Sequence, residues 1–203
     1  MEGVSLTPEM AVSICKNGKT LEILNLKCSH LVAISSYAIN YLQEIIECCQ
    51  ELKEVDMDYV NEREGLLDDD LEFLAENISP NVEKLKLSST LIMNDHVEIL
   101  LRRCNKIKVL SLEATTDDSL KNIRQCLNLT LEELSLGLDN DFSSTGILEL
   151  RSMPKLKVLN LILETDDGEE IQNIRKHLPH LVIQGIPPRL SRSGFKSLPM
   201  RNY

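Results

Sequence analysis

Six times along the chain the pattern LxxLxL returns, its marked positions filled by Leu, Ile, Val or Met. The matches are Leu21, Leu24, Leu26; Leu52, Val55, Met57; Val82, Leu85, Leu87; Ile107, Leu110, Leu112; Leu131, Leu134, Leu136; and Leu156, Leu159, Leu161. A seventh begins at Leu181 and Ile183 and stops. Successive starts lie 31, 30, 25, 24, 25 and 25 residues apart. Such a period constrains the fold strongly. A unit of that length cannot bury its own apolar face and must stack on its neighbour.

Within each match, alternation sends the second and third apolar residues inward and their neighbours outward, as in a short strand. Between matches run helical stretches such as 92–103, IMNDHVEILLRR, with apolar residues three and four apart. Each helix has a polar starter that can cap free N–H groups: Asp69 or Asp70, Asp95, Asp117 or Asp118, Ser144 or Thr145, Thr165 or Asp166. Pro80, Pro154 and Pro179 precede their strands by two residues and end the helices before them. The expected fold is therefore α/β: a leucine-rich-repeat solenoid, or horseshoe, with short parallel strands on the concave face and helices on the convex face. Residues 1–185 form the solenoid of about seven strands, and 186–203 a basic tail.

Composition limits the function classes. Aromatic content is 3% with no Trp, so Leu and Ile fill the layers. A net charge of −10 argues against nonspecific binding along nucleic acid. No apolar run reaches the ~18 residues of a membrane span, and no secretory leader is visible. Six cysteines without a CxxC pair fit a reducing, intracellular compartment, nucleus or cytoplasm, with the thiols as small apolar fillers.

The acidic runs Asp68-Asp69-Asp70, Asp117-Asp118 and Asp166-Asp167 recur at one phase of the repeat, which assigns them to helix starts rather than to metal. His177 and His180 are too few for zinc, and His177 suits a helix C-terminus. Without a glycine-rich phosphate loop or nucleophile motif, no catalytic site, metal or cofactor is expected.

The outward strand positions are where a solenoid works. They read Ile23, Asn25, Lys27; Glu54, Asp56, Asp58; Lys84, Lys86, Ser88; Val109, Ser111, Glu113; Glu133, Ser135, Gly137; and Val158, Asn160, Ile162. An acidic row thus adjoins a basic one, with Lys108 beside it. Lys84, Lys86 and Lys108 suit an acidic or phosphorylated peptide, unless they are cross-paired with the acidic row. Candidate partner-binding residues are Glu54, Asp56, Asp58, Lys84, Lys86, Lys108, Glu113, Glu133, Val158, Asn160 and Ile162, the last rows suiting an apolar anchor. The tail carries Arg189, Arg192, Lys196 and Arg201 with no acid. Extended, it would reach about 55–60 Å, against roughly 30 Å for seven strands. Arg189, Arg192 and Lys196 are candidates for docking back on the sheet, the alternative being a disordered terminus.

Cys49 and Cys104, three residues before Leu52 and Ile107, mark the cysteine-containing subclass of the repeat, although Cys28 is one residue early for its second cysteine. The stretches SMPKLKVLNL through IRKHLPHLVIQ, MEGVSLTPEMAVSICKNGKTLEILNL, and VEKLKLSS with LLRRCNKIKVLSL are similar to terminal and earlier repeats of F-box/leucine-rich-repeat proteins. The resemblance covers most of 1–185. It implies a non-catalytic protein-interaction module: the substrate-recognition part of an SCF-type ubiquitin ligase, acting in the cell cycle. A tail returning along the concave face is also implied. So are a phosphorylated substrate and a cyclin-dependent-kinase accessory protein as partners, with the ligase adaptor reached only through an F-box.

Thr7 reads as an N-cap, Pro8 as the first helical residue and Asn17-Gly18 as the stop, so 8–16 is the helix of an incomplete repeat. With no F-box in view, the chain is expected to be the back part of a longer protein or a shorter isoform. The alternative to the ligase reading is a free-standing inhibitor or scaffold.

Overall fold

The computed structural model describes residues 6–27, 37–58, 68–91, 94–113, 116–137, 142–162 and 168–186. Seven strands form one all-parallel sheet in sequence order: β1 (Ile23–Asn25), β2 (Glu54–Asp56), β3 (Lys84–Leu91), β4 (Val109–Glu113), β5 (Glu133–Leu136), β6 (Val158–Ile162) and β7 (Val182–Ile186). The α-helices among the described residues are α1 (Pro8–Lys16), α2 (Tyr37–Cys48), α3 (Asp68–Asn77), α4 (Asn94–Arg103), α5 (Asp117–Leu127), α6 (Ser144–Leu148) and α7 (Gly168–His177). Parallel neighbours need a crossover, and helices supply it here. None of these helices is long and apolar enough to cross a membrane.

The core follows from the alternation. Leu24, Val55, Leu85, Leu110, Leu134, Leu159 and Ile183 stand side by side across all seven strands. Exposure in this column is 4% at Leu24 and Ile183 and 0% at the five residues between, so each inner leucine is packed by a layer on both sides. Helices close the core with residues three and four apart, such as Val97, Leu100, Leu101 and Leu120, Ile123, Leu127. Stripping such a leucine to alanine costs about 3–5 kcal/mol where the neighbours cannot collapse.

Four expected helix starts are corrected. Helices α5 and α6 are capped one residue earlier than expected, by Thr116 and Ser143, whose hydroxyls accept from Ser119 N and from Thr145 and Gly146 N. Asp95, Asp117 and Asp118 lie in first turns, where their charge still favours the helix dipole. Asp69 and Asp70 lie inside α3, while Thr165 and Asp166 fall outside the described residues.

At the N-terminal helix, Thr7 caps α1 as expected, accepting from Met10 N, with Pro8 as its first residue. Gly18 is needed for closeness rather than for a left-handed turn: a Cβ there would stand 2.6 Å from the Cys48 carbonyl oxygen. The last strand is shifted. Val158 pairs with Val182 and Leu159 with Ile183, so the final step is 24 residues and Leu181 sits in a shortened approach to the strand.

Candidate functional site

One side of the sheet faces the helices; no described helix covers the other, open side, and the parallel register lines up its residues. Ile23, Glu54, Lys84, Val109, Glu133, Val158 and Val182 form one lane across the sheet. Asn25, Asp56, Lys86, Ser111, Ser135, Asn160 and Gln184 form the next. The expected acidic and basic rows are therefore neighbours, and they pair. Lys84 Nζ is 3.3 Å from Glu54 and Lys86 Nζ 3.6 Å from Asp56. This is the cross-paired arrangement weighed against a phosphate site.

Lys108 belongs to neither lane. It sits on the rim where strands begin, among Glu22, Lys53, Glu83, Glu132 and Lys157, and pairs with Glu83 at 2.6 Å. Lys53 with Glu22 and Lys157 with Glu132 are also 2.6 Å apart. The rim alternates in sign over its first six positions, Glu-Lys-Glu-Lys-Glu-Lys, and ends at Leu181. A hydrogen bond from Lys108 and its charge hold the Glu83 carboxyl below the usual range, and Lys157 does the same to Glu132. Lys53 and Lys108 are raised by their glutamates in turn.

The backbone beneath this rim repeats as well. The Glu22 carbonyl accepts from Lys53 N and Glu54 N, that of Lys53 from Glu83 N and Lys84 N, and the pattern continues through Glu83, Lys108 and Glu132. Apart from Lys108, this ladder was not among the expected site residues, although the second position of successive LxxLxL matches spells it out.

Burial separates the remaining candidates. Asp58 (7%), Ser111 (5%) and Asn160 (6%) are buried, not presented to solvent as expected of their rows. Asn160 is held down by hydrogen bonds to Glu133 and Ser135, and Asp56 Oδ1 draws in the Asp58 backbone by accepting its N–H at 3.2 Å. Glu54, Lys84, Glu133 and Val158 remain accessible, and Val182 at 56% is among the most exposed apolar residues. Asn160 Nδ2 donates to both Glu133 Oε1 and Ser135 Oγ at 3.0 Å. Glu113 and Ile162 lie in β4 and β6, but their side chains are outside the described set, as are Arg189, Arg192 and Lys196 altogether.

Two further groups sit on the helical side. Asn94 Oδ1 accepts from Thr116 Oγ1 at 2.8 Å and Ser119 Oγ at 2.5 Å, and Asp117 accepts from both N and Oγ of Ser143 at 2.7 Å, so each helix start is tied to the next. Asp117 thereby has a structural task. Among the described residues, no three His, Cys, Asp or Glu converge as metal ligands would.

The cysteines divide. Cys49 and Cys104 are fully buried fillers, whereas Cys48 is exposed, so packing does not account for it. Cys48 meets Cys15, whose thiol donates to the Glu44 carbonyl at 3.6 Å and is pushed up to about 12 by burial first and Cys48 second.

Set against known protein families and curated proteins, the chain matches none.

Proposed function

We propose that the chain is a leucine-rich-repeat solenoid that recognises protein partners on the open, concave face of its sheet. On this reading it is the substrate-recognition part of an SCF-type ubiquitin ligase F-box protein and catalyses nothing itself. One observation carries the recognition reading: equivalent outward residues from seven parallel strands are aligned in continuous lanes that the described helices leave uncovered. The ligase assignment rests on the resemblance of the LPHL ending and the irregular repeat lengths to F-box/leucine-rich-repeat proteins. A phosphorylated substrate is a weaker part of the reading, because its phosphate would have to displace Glu54 and Asp56 from Lys84 and Lys86.

The test is an affinity pull-down from cell extract, comparing the unaltered chain with a Glu133→Arg, Val158→Arg variant. Capture of cell-cycle inhibitors or kinase accessory proteins that disappears with the variant supports the reading. Capture unaffected by the variant removes the open face from it. A single partner unrelated to ubiquitin conjugation replaces the ligase role with that of a free-standing inhibitor or scaffold.

A further inference from the structure

The carboxylates along the sheet are not equivalent. Glu22, Glu83 and Glu132 on the rim, and Glu54 and Asp56 on the open face, each lie within 4 Å of a lysine. Glu133 does not: among the described residues no cation reaches it. Its neighbours in the lane are Val109 on one side and Val158 on the other, at strand spacings of about 4.8 Å. Nor does it hang loose. Asn160, 6% exposed, donates to Oε1 at 3.0 Å while its second N–H is held by Ser135 Oγ. The result is an oriented carboxylate between two apolar side chains, with Oε2 and one lone pair of Oε1 left open by the described residues.

We propose that Glu133 anchors an arginine side chain of a partner protein, with Val109 and Val158 bracketing its methylene arm. This deepens the reading of the open face as a recognition surface and rests on it. Charge complementarity selects the cation: the chain is at −10, and among the described residues no lysine neutralises this carboxylate as one does Glu22, Glu54, Asp56, Glu83 and Glu132. Arginine fits better than lysine for three reasons. Its planar fork meets both carboxylate oxygens, it sheds water more easily, and its stem lies well on apolar surface. The buried amide of Asn160 fixes the plane in which that fork must lie.

The test is an NMR titration of the full 203-residue chain with acetyl-Val-Arg-Val-amide, and with the same peptide carrying citrulline, a neutral isostere of arginine. The expected result is a set of saturable shifts at Glu133, Ser135 and the Asn160 side-chain amide. Binding should weaken at least about tenfold with citrulline and in the Glu133→Gln variant. Equal binding by citrulline, or by Glu133→Gln, overturns the anchor. Shifts confined to β2 and β3 also overturn it but leave the open-face reading standing, whereas shifts confined to the helices remove both. An Arg189→Gln, Arg192→Gln, Lys196→Gln variant separates the remaining occupant. If the peptide reaches Glu133 only in that variant, the carboxylate belongs to the chain's own tail and the partner assignment is wrong.

Discussion

Replacing Ser79 by alanine should cost about 1–2 kcal/mol, although the change deletes one atom. Ser79 is fully buried and sits three residues before the third LxxLxL match, the slot that Cys49 and Cys104 fill in neighbouring units. Its hydroxyl donates to the Gln50 carbonyl at 2.7 Å, linking one unit to the next, and accepts from Asn81 N at 3.2 Å. Alanine leaves that acceptor and donor without their partner. Each lost hydrogen bond is worth about 0.5–1.5 kcal/mol net, and a group left dry costs more. Gln50 is exposed, so water can reach its carbonyl, which keeps the total near the lower end. Ser79→Cys should recover part of the loss, because Cys104 fills the same slot one unit later and its thiol donates to the Ser79 carbonyl at 3.4 Å. Urea unfolding monitored by circular dichroism reads the difference as a lower midpoint at unchanged slope. An alanine cost below about 0.5 kcal/mol, or a cysteine variant less stable than the alanine one, would refute the link between units as a source of stability.

Leu110→Ala, in the middle of the column, should destabilise by about 3–5 kcal/mol, and Leu24→Ala at its end by about 2–3, because an end layer can close over the hole; equal losses in denaturant titrations would contradict layer-by-layer packing. Lys108→Glu puts three like charges in a row with Glu83 and Glu132, so it should lower the melting temperature at low salt and recover with added salt. Because the Glu83 and Glu132 carboxyls are lowered on folding, their stabilisation is present above the unfolded value near pH 4.3 and lost as pH falls through the folded one. Lys108→Gln should therefore flatten the stability profile between about pH 5 and 3, and an unchanged acid limb would show that the rim charges are uncoupled. Iodoacetamide at pH 8 should modify Cys48 before Cys15 or Cys104, both pushed up to about 12 chiefly by burial; peptide mapping that finds Cys104 labelled first would overturn its burial.

Much of the fold was legible because one signal, the LxxLxL spacing, sets strand, buried face and partner at once. Thr7-Pro8 was readable for a similar reason: only one residue there can cap. Where several adjacent residues can, as in Thr116-Asp117-Asp118 or Ser143-Ser144-Thr145, sequence leaves the choice open. The hydroxyls that cap are the ones that also bond the preceding helix start, Thr116 to Asn94 and Ser143 to Asp117. The final register was misread because Leu181 and Ile183 keep apolar character while losing one residue of the spacing. The site was harder still. Reading outward positions strand by strand set the row of Glu54 beside that of Lys84 but left open whether they pair or await a phosphate, and the side-chain geometry in the sheet decides for the pair. That reading also overlooked the rim apart from Lys108, since attention to rows hides a pattern that runs across them. Asp58, Ser111 and Asn160 are buried at outward positions, and a pattern of inward and outward positions does not encode side-chain hydrogen bonds such as those from Asn160 to Glu133 and Ser135.

A parallel sheet with one open face solves two problems with the same residues, and this chain divides them by position. Short strands of three residues, as in β1 and β2, offer few ladder bonds. The rim of alternating charge and the paired lanes of β2 and β3 supply further contacts between neighbours, and they disfavour a slipped register because a slip would oppose like charges. Charges committed in this way are poor recognition elements: a ligand must break an internal pair to make an external one, and gains only the difference. Toward β4–β7 the open face changes character. Val109, Val158 and Val182 replace the ion pairs, the neighbouring lane becomes Ser111, Ser135, Asn160 and Gln184, and Glu133 is left with a neutral amide as its partner. Groups without internal charge partners keep their full interaction for a ligand, so if the open face recognises a partner as proposed, this half would do so while the other half holds the strands in register.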